Sequence, residues 1–572
     1  MLPTADASPE ERPLTEASRE GIGDRIVARW IWALILAGLG VVDAWGSRYN
    51  LNPDGISYIE MAQHALAGAP DGFINGYWSP GYPALIAPLL SLVGHDWVTS
   101  IPLLHVVNFV MYLGGGLLFA CLLRATASAG ESITPAHVLV RYRAALGVAA
   151  YAIIAIKCIG LGLLTPDFGV MLAVLATAGC CLQLERTTRP LWWSVGLGVA
   201  LGVGYWMKGI LLPLNALLLL GLCIVPPRID RARSMVGIAA AAFMLVSLPL
   251  VVMVSSRVGR VTMGEVGRLN YAWEVDGVTP FISWTGDSSS AQHGAPVHPP
   301  RILQAQPQTL EFATPITATY ALWFDPSYWY AGVRAHLEIA GQWRVLLQGM
   351  QDLWLLVQQQ LVLVVGVLAL FFASARGPKR ATPSRVPLVL AAWSVAATGV
   401  YALVHVEPRY LAGFIGVGLI VAWSALVRRT PRRAMPWVMG AVVIALLVST
   451  GENVIENTGG FQAAYRPDYL RDAEKLRADG IARGDHVAMV GDAFEAYVAF
   501  GAGTPISVQV VDSTGFWQLT PDGRLQLQRR IAGTGVKALL ANNIGAELAA
   551  EGWRIYPRAD STNLGVLLLA PR

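Results

Sequence analysis

Five charged residues stand apart in an otherwise apolar chain. Asp54, Asp167, Lys208, Glu407 and Arg409 each lie in a short polar stretch beside an apolar run. Charged groups at membrane depth are costly unless paired or hydrated, so residues of this kind mark functional sites by default. The plain alternative for any one of them is a solvated turn or a snorkelling anchor. Asp54 has the most informative surroundings. In Asn52-Pro53-Asp54-Gly55-Ile56-Ser57-Tyr58, an Asn cap and a Pro at the first helical position open a helix. A carboxylate in the first turn is favoured by the free N–H groups and the helix dipole. Asp54 is therefore either a helix-stabilising residue or an ionised base beside a cavity.

The elements that must position these residues follow from composition. The chain has 572 residues, 54% hydrophobic and 14% charged, with a mean hydropathy of +0.49. Soluble domains carry roughly 25% charged residues, so this chain cannot clothe itself in polar surface. A spanning helix needs about 20 apolar residues. Spans are expected near 27–46, 98–123, 143–164, 167–184, 191–207, 209–226, 235–254, 353–374, 386–404, 410–427 and 435–451. The fold class is thus a polytopic α-helical membrane protein of about eleven transmembrane helices.

Charge orients the spans. Arg124, Arg141 and Arg143 follow the second; Arg186 and Arg189 the fourth; Arg228, Arg231 and Arg233 the sixth. Arg376, Lys379, Arg380 and Arg385 follow the eighth, and Arg428, Arg429, Arg432 and Arg433 the tenth. Short loops rich in Arg and Lys stay cytoplasmic, so every second loop obeys one rule. The N-terminus is expected inside, with a cytoplasmic tail over 1–26 and a transmembrane domain over 27–451. Outer loops 47–97 and 255–352, and a C-terminal region 452–572, are expected outside. The style of the chain suits a bacterial inner membrane. The five charged residues all fall on the outer face.

The C-terminal region reads as a small extracytoplasmic α/β domain, with a helix at Pro467–Arg477 and strand-like runs from His486, Ile506 and Val566. Gly491-Asp492 follows a strand, but no G-x-G-x-x-G is present and a dinucleotide site has no support. In the first outer loop, 53–62 reads as an amphipathic helix lying on the membrane, and 84–93 as a second interfacial helix. Lys157, inside the third span, either faces a cavity or pairs with Asp167. The aromatic run Tyr320–Tyr330 reads as an interfacial belt, with sugar stacking the sharper option. His293 and His298 lack carboxylate partners nearby in sequence and are not read as a metal site. The five cysteines, Cys121, Cys158, Cys180, Cys181 and Cys223, lie in or beside apolar runs, so no disulfide or thiolate site is expected. The net charge of +4 arises from short basic clusters between apolar runs, a topology signal that does not call for nucleic acid. The polar first 24 residues, before Arg25 and Arg29, do not read as a signal peptide.

Taken in order, five motifs resemble the C-type (GT-C) glycosyltransferase superfamily, in particular its protein mannosyltransferase and aminoarabinose transferase group. They are Asp54-Gly55-Ile56-Ser57-Tyr58, Trp78-Ser79-Pro80-Gly81-Tyr82-Pro83, Thr165-Pro166-Asp167, Lys208-Gly209 and Glu407-Pro408-Arg409-Tyr410. The resemblance covers about residues 25–450. It implies transfer of a sugar from a polyprenyl-phosphate carrier to a hydroxyl of a lipid, glycan or protein, with inversion. It makes Asp54 the base and Asp167 a second acidic catalytic position. It places Lys208 and Arg409 at the donor phosphate, and Tyr58, Glu407 and Tyr410 at the substrate. Some relatives carry paired acidic residues in the first loop, whereas Gly55 follows Asp54 here. No cofactor is required on this reading; two carboxylates could hold a divalent metal, but no ligand set supports one. Membrane lipids are the remaining partner.

A lipid or glycolipid transporter or flippase is the rival from another class. It should show inverted repeats or polar residues reaching both faces. A membrane-anchored scaffold is a third reading, although eleven spans exceed what an anchor needs.

Overall fold

The computed structural model describes residues 16–94, 96–127, 137–279, 284, 293–312, 316–375, 384–458 and 467–569. The side chains of Arg25, Arg29 and Arg141, and all of residues 376–383, lie outside the described set. Apolar helices occupy each of the segments expected to span. Among the described residues, six are sufficient by length and composition to cross a membrane, and a seventh if one bent pair is a single span. The expected count of about eleven therefore exceeds what helix length alone supports. Trp30–Gly46, Leu211–Ile224 and Val386–Ala402 are apolar but shorter.

A bent pair occupies the expected span 353–374. Helices Ile339–Gln359 and Leu361–Phe372 meet at an angle of 70°. Three consecutive glutamines, Gln358 to Gln360, stand at the break. Gln360 is buried and its Nε2 donates to Cys158 Sγ at 3.3 Å. Its Oε1 is buried with no hydrogen-bond partner among the described residues.

The loops following the fourth, sixth, eighth and tenth apolar segments meet on one side of the bundle. The Arg228 amide donates to Glu185 Oε1 at 3.0 Å, and Ser384 Oγ donates to Glu185 Oε2. Two short strands, β3 (Ser374–Ala375) and β4 (Thr430–Pro431), pair antiparallel there. The opposite side carries the helix ends with Asp167, Lys208 and Arg409.

Above those ends lies a seven-stranded sheet. It joins β1 (Arg301–Gln304) and β2 (Thr309–Glu311) to β5 (Val487–Val490), β6 (Ile506–Val510), β7 (Ala538–Asn542), β8 (Arg554–Pro557) and β9 (Asn563–Leu568). The order is β1-β2-β6-β5-β7-β9-β8. β5 runs parallel to β6 and β7, and the other pairings are antiparallel. β2 pairs with β6 in a register of Leu310 with Gln509, so residues of the 255–352 segment extend the sheet of the C-terminal region.

Three features of the 47–97 and 255–352 segments differ from the sequence reading. Helix Pro53–Leu66 is buried continuously from Gly55 to Ala62, so it does not lie on a membrane surface with one wet face. Residues 319–325 cover it: Ser57 Oγ donates to the Trp323 carbonyl at 3.2 Å, and Glu60 Oε1 accepts from the Thr319 amide at 2.7 Å. Asn52 occupies the N-cap with extended backbone, but its side chain does not cap the helix. Its Oδ1 instead accepts from the Leu164 amide at 3.3 Å. The aromatic run is no membrane belt either. Tyr320, Trp323, Trp329 and Tyr330 are buried in a core shared with the seven-stranded sheet.

Candidate active site

Asp167 is delivered by a break in the bundle. The helix that starts at His137 ends in a π-helical turn, Ala155–Ile159, and Gly160 follows at a φ of +73°, a conformation that favours glycine. The following backbone is not helical, and unsatisfied backbone groups at membrane depth are costly. Buried side chains satisfy them. Asp43 Oδ2 accepts from the Leu161 amide at 2.9 Å, and Asn108 Nδ2 donates to the Leu163 carbonyl. His105 Nδ1 lies 2.8 Å from the Leu161 carbonyl oxygen. This tethered turn sets Asp167 in the first turn of helix Asp167–Leu184, where the free N–H groups favour a carboxylate.

Two glycines bring the other pieces close. A Cβ on Gly55 would lie 2.8 Å from Asn52 Oδ1 and 3.1 Å from Leu164 Cβ. The residue after Asp54 must therefore be small for the 160–167 turn to pack against it. A Cβ on Gly81 would sit 2.5 Å from the Trp206 carbonyl oxygen. That close approach seats the Trp78–Pro83 motif against the end of helix Pro190–Met207. Lys208 caps this helix in an extended conformation.

The four charged groups form an alternating chain. Lys208 Nζ donates to Asp167 Oδ1 at 3.0 Å, and Thr165 Oγ1 donates to Asp167 Oδ2 at 2.8 Å. Arg409 Nη1 lies 3.7 Å from Asp167 Oδ2, while its Nη2 lies 3.2 Å from Asp54 Oδ2. Trp323 Nε1 completes the chain by donating to Asp54 Oδ1 at 3.3 Å. Asp167 is 1% exposed, whereas Asp54, Arg409 and Lys208 retain 18%, 17% and 22%. Asp167 thus anchors, and the other three can face a ligand. Burial pushes the Asp54 carboxyl up from its ordinary value, and the Arg409 guanidinium pulls it back. The guanidinium lies between the two carboxylates, the position a bridging divalent ion would require.

Tyr410 underlies the cations. Its ring centroid is 3.4 Å from Lys208 Nζ, and its hydroxyl accepts from Arg409 Nη2 at 3.5 Å. Tyr58 is buried against the edges of Trp78 and Tyr82, with centroids 5.1 and 5.6 Å away, and contributes wall. Glu407 stands to one side. His405 Nε2 lies 3.3 Å from Glu407 Oε1, and this hydrogen bond holds the Glu407 carboxyl below its ordinary value and raises His405. Lys157 is not among the ion pairs of Asp167 in the described residues; Lys208 and Arg409 take that role.

No family model matches the sequence, and no curated protein matches it. Solved structures do. ArnT from Cupriavidus metallidurans bound to undecaprenyl phosphate superposes with a TM-score of 0.51 at 12% identity, covering 94% of this chain and 98% of that one. Its apo state gives the same TM-score and identity over 95% and 98%. The archaeal oligosaccharyltransferase AglB from Archaeoglobus fulgidus, in complex with an inhibitory peptide and a dolichol-phosphate, gives 0.46 at 12% over 94% and 73%. The chain has the C-type glycosyltransferase fold.

Within this C-type fold, Trp323 is the site residue that the sequence did not single out. Its only signal was membership of the Tyr320–Tyr330 aromatic run. It is wedged between Trp78 and Phe494, with ring centroids 5.3 and 5.0 Å away, and so links Asp54 to the sheet region. Beyond Phe494 a crevice of about 230 Å³ opens at the carboxyl ends of β5 and β7, lined by Tyr469, Glu495, Tyr497, Asn542, Arg558 and Asp560 among others. Open α/β sheets bind ligands at such switch points. A second, apolar cavity of about 50 Å³, lined by Phe371, Trp423 and Leu426 among others, lies at the far end of helix Pro408–Leu426 from Arg409.

Proposed function

We propose that this protein is a membrane glycosyltransferase that moves a sugar from a polyprenyl-phosphate carrier to a hydroxyl acceptor on the extracytoplasmic side, with inversion. The observation that carries the reading is Asp54, a partly exposed carboxylate tied to Arg409 within a C-type fold. The acceptor hydroxyl attacks the anomeric carbon as its proton passes to Asp54, and the bond from that carbon to the phosphate oxygen breaks. Each carboxylate oxygen retains a free acceptor site beside its present donor. The lipid phosphate leaves as an anion, and the partly exposed faces of Lys208 and Arg409 meet its developing charge. Asp167 positions both cations.

Eleven crossings complete the topology, with the shorter apolar helices also crossing beside longer ones. The basic loops then lie in the cytoplasm with the tail 1–26, and 47–97, 255–352 and 452–572 lie outside. The crevice beside Tyr497 is the acceptor entry on this reading, because its walls at Ala493 and Glu495 flank Phe494, which packs on the Trp323 ring that donates to Asp54. Tyr58 and Tyr410 border the substrate, with Glu407 at the rim.

The test is transfer, or slow hydrolysis, of a panel of radiolabelled polyprenyl-phosphate sugars by the purified chain alongside Asp54→Asn. Turnover by the wild type that vanishes in the variant supports the reading. A chain that binds no polyprenyl-phosphate sugar overturns it and points to lipid transport.

A further inference from the structure

A second cluster of chemistry-bearing residues lies apart from the ion-paired group around Asp54. Asp276, His293 and His336 each direct one donor atom to a common point, with all three atoms within 4.8 Å of one another. They come from three separate stretches: the end of the turn after helix Val266–Glu274, the segment 293–297, and the approach to helix Ile339–Gln359. The sequence hides this grouping because the carboxylate and the second imidazole lie 17 and 43 residues from His293.

The backbone frames the cluster tightly. Segment 293–297 runs beside 331–334: the Arg334 amide donates to the His293 carbonyl at 2.8 Å, and the Val297 amide to the Ala331 carbonyl at 3.0 Å. A Cβ on Gly332 would lie 2.1 Å from the Ala295 carbonyl oxygen, so the two strands of chain approach as closely as glycine allows. Asp276 Oδ2 accepts from the His336 amide at 2.7 Å, which fixes the carboxylate. Its Oδ1 is buried with no hydrogen-bond partner among the described residues. The imidazoles of His293 and His336 stand edge to face, with centroids 5.5 Å apart. Asp276 and His293 are only 8% and 7% exposed, whereas His336 is open to solvent.

We propose that Asp276, His293 and His336 form a zinc site. Two imidazole nitrogens and one carboxylate oxygen are a donor set that zinc takes, with water in the fourth position on the exposed side of His336. Ligation at about 2.0–2.1 Å puts donor atoms roughly 3.4 Å apart, a closure that side-chain rotation supplies. A buried carboxylate oxygen without a proton donor then gains a cation partner. The ion pins the helix carrying Glu274 to the start of Ile339–Gln359. Glu274 lies 3.9 Å from His405, so the pinned elements form the outer wall beside Glu407. His298, although near in sequence, stays outside: it stacks on Tyr328 with centroids 3.8 Å apart.

The test uses the purified full chain, stripped with a chelator and titrated with zinc chloride by calorimetry, with metal content counted by mass spectrometry. The expected result is about one zinc per chain, with binding weakened ~100-fold or more in Asp276→Asn and in His293→Ala, and unchanged in His298→Ala. X-ray absorption of the zinc-loaded wild type, which needs no variant to fold, should show two imidazoles in a four-coordinate nitrogen and oxygen shell. Absence of stoichiometric zinc in the wild type, equal affinity in the variants, or a shell without imidazole overturns the site. None of these readouts depends on sugar transfer.

Discussion

The indole nitrogen of Trp323 donates to one oxygen of Asp54 at 3.3 Å while Arg409 holds the other at 3.2 Å, so the carboxylate is fixed from both sides by residues remote in sequence. A carboxylate held this way keeps its orientation as a hydroxyl approaches, which is what a general base requires. The Trp323 backbone is itself fixed, because its carbonyl accepts from both Ser57 Oγ and Trp78 Nε1, and its ring packs between Trp78 and Phe494. Asp54, the proposed base, is therefore oriented by residues 319–325 as well as by the helix that carries it.

Replacing Asp54 with Asn keeps shape and one acceptor but removes the proposed base. Initial transfer rates should fall about 10²–10⁴-fold while donor binding persists. Burial sets Asp54 above the ordinary carboxylate range, so the wild-type rate should decline on acidification at a pH above the ~3.9 of a free Asp. A rate that stays flat down to that value would remove Asp54 from the base role.

Trp323→Phe separates orientation from packing. The ring contacts with Trp78 and Phe494 are retained, but the N–H to Asp54 is lost. That hydrogen bond favours the ionised carboxylate, so the acid limb of the rate profile should move to higher pH in the variant. A purely structural tryptophan would lower expression or melting temperature and leave the limb in place.

Lys208→Gln should weaken donor binding and also destabilise the fold, since Asp167 is almost fully buried. Arg409 and Thr165 remain beside that carboxylate, so a loss of about 1–3 kcal/mol is expected, below the ~3–5 of a wholly stranded buried charge. The double variant Asp167→Asn/Lys208→Gln should recover part of this, with a coupling of at least about 1 kcal/mol. Additive losses in a melting-temperature cycle would show that the pair is not coupled.

How much of this was legible in the sequence depended on range. Apolar runs set the helices locally, and helix Asp167–Leu184 matches its expected bounds at both ends because Pro166 and the polar Glu185-Arg186 bracket it. The strands at Val487–Val490 and Ile506–Val510 likewise announce themselves by composition. What stayed hidden was set by contacts between distant segments. Helix Pro53–Leu66 looks one-sided until residues 319–325, which have weak periodicity, cover its other face. Asn52 reads as a cap, yet its side chain serves Leu164, 112 residues away. Asp54, Asp167, Lys208 and Arg409 were visible as charges beside apolar runs, but Trp323 was one aromatic among many, and nothing local links it to Asp54.

Glu60 offers a test of the outer cover that does not rely on catalysis. Its carboxylate is 7% exposed and accepts from both the amide and hydroxyl of Thr319. Burial nonetheless raises it from an ordinary value of 4.5 to about 7. The folded chain then binds this proton more tightly than the unfolded chain. Its stabilising contribution is complete below pH 4.5 and is lost progressively as pH rises to about 7. The loss is of order 3 kcal/mol, because a tenfold change in proton affinity corresponds to about 1.4 kcal/mol. Glu60→Gln keeps an oxygen for Thr319 but cannot titrate. Its melting temperature should therefore decline less between pH 4.5 and 7 than that of the wild type. Parallel declines in the two proteins would mean that Glu60 is already ionised throughout, and that the contact between helix Pro53–Leu66 and Thr319 is wetter than the geometry indicates.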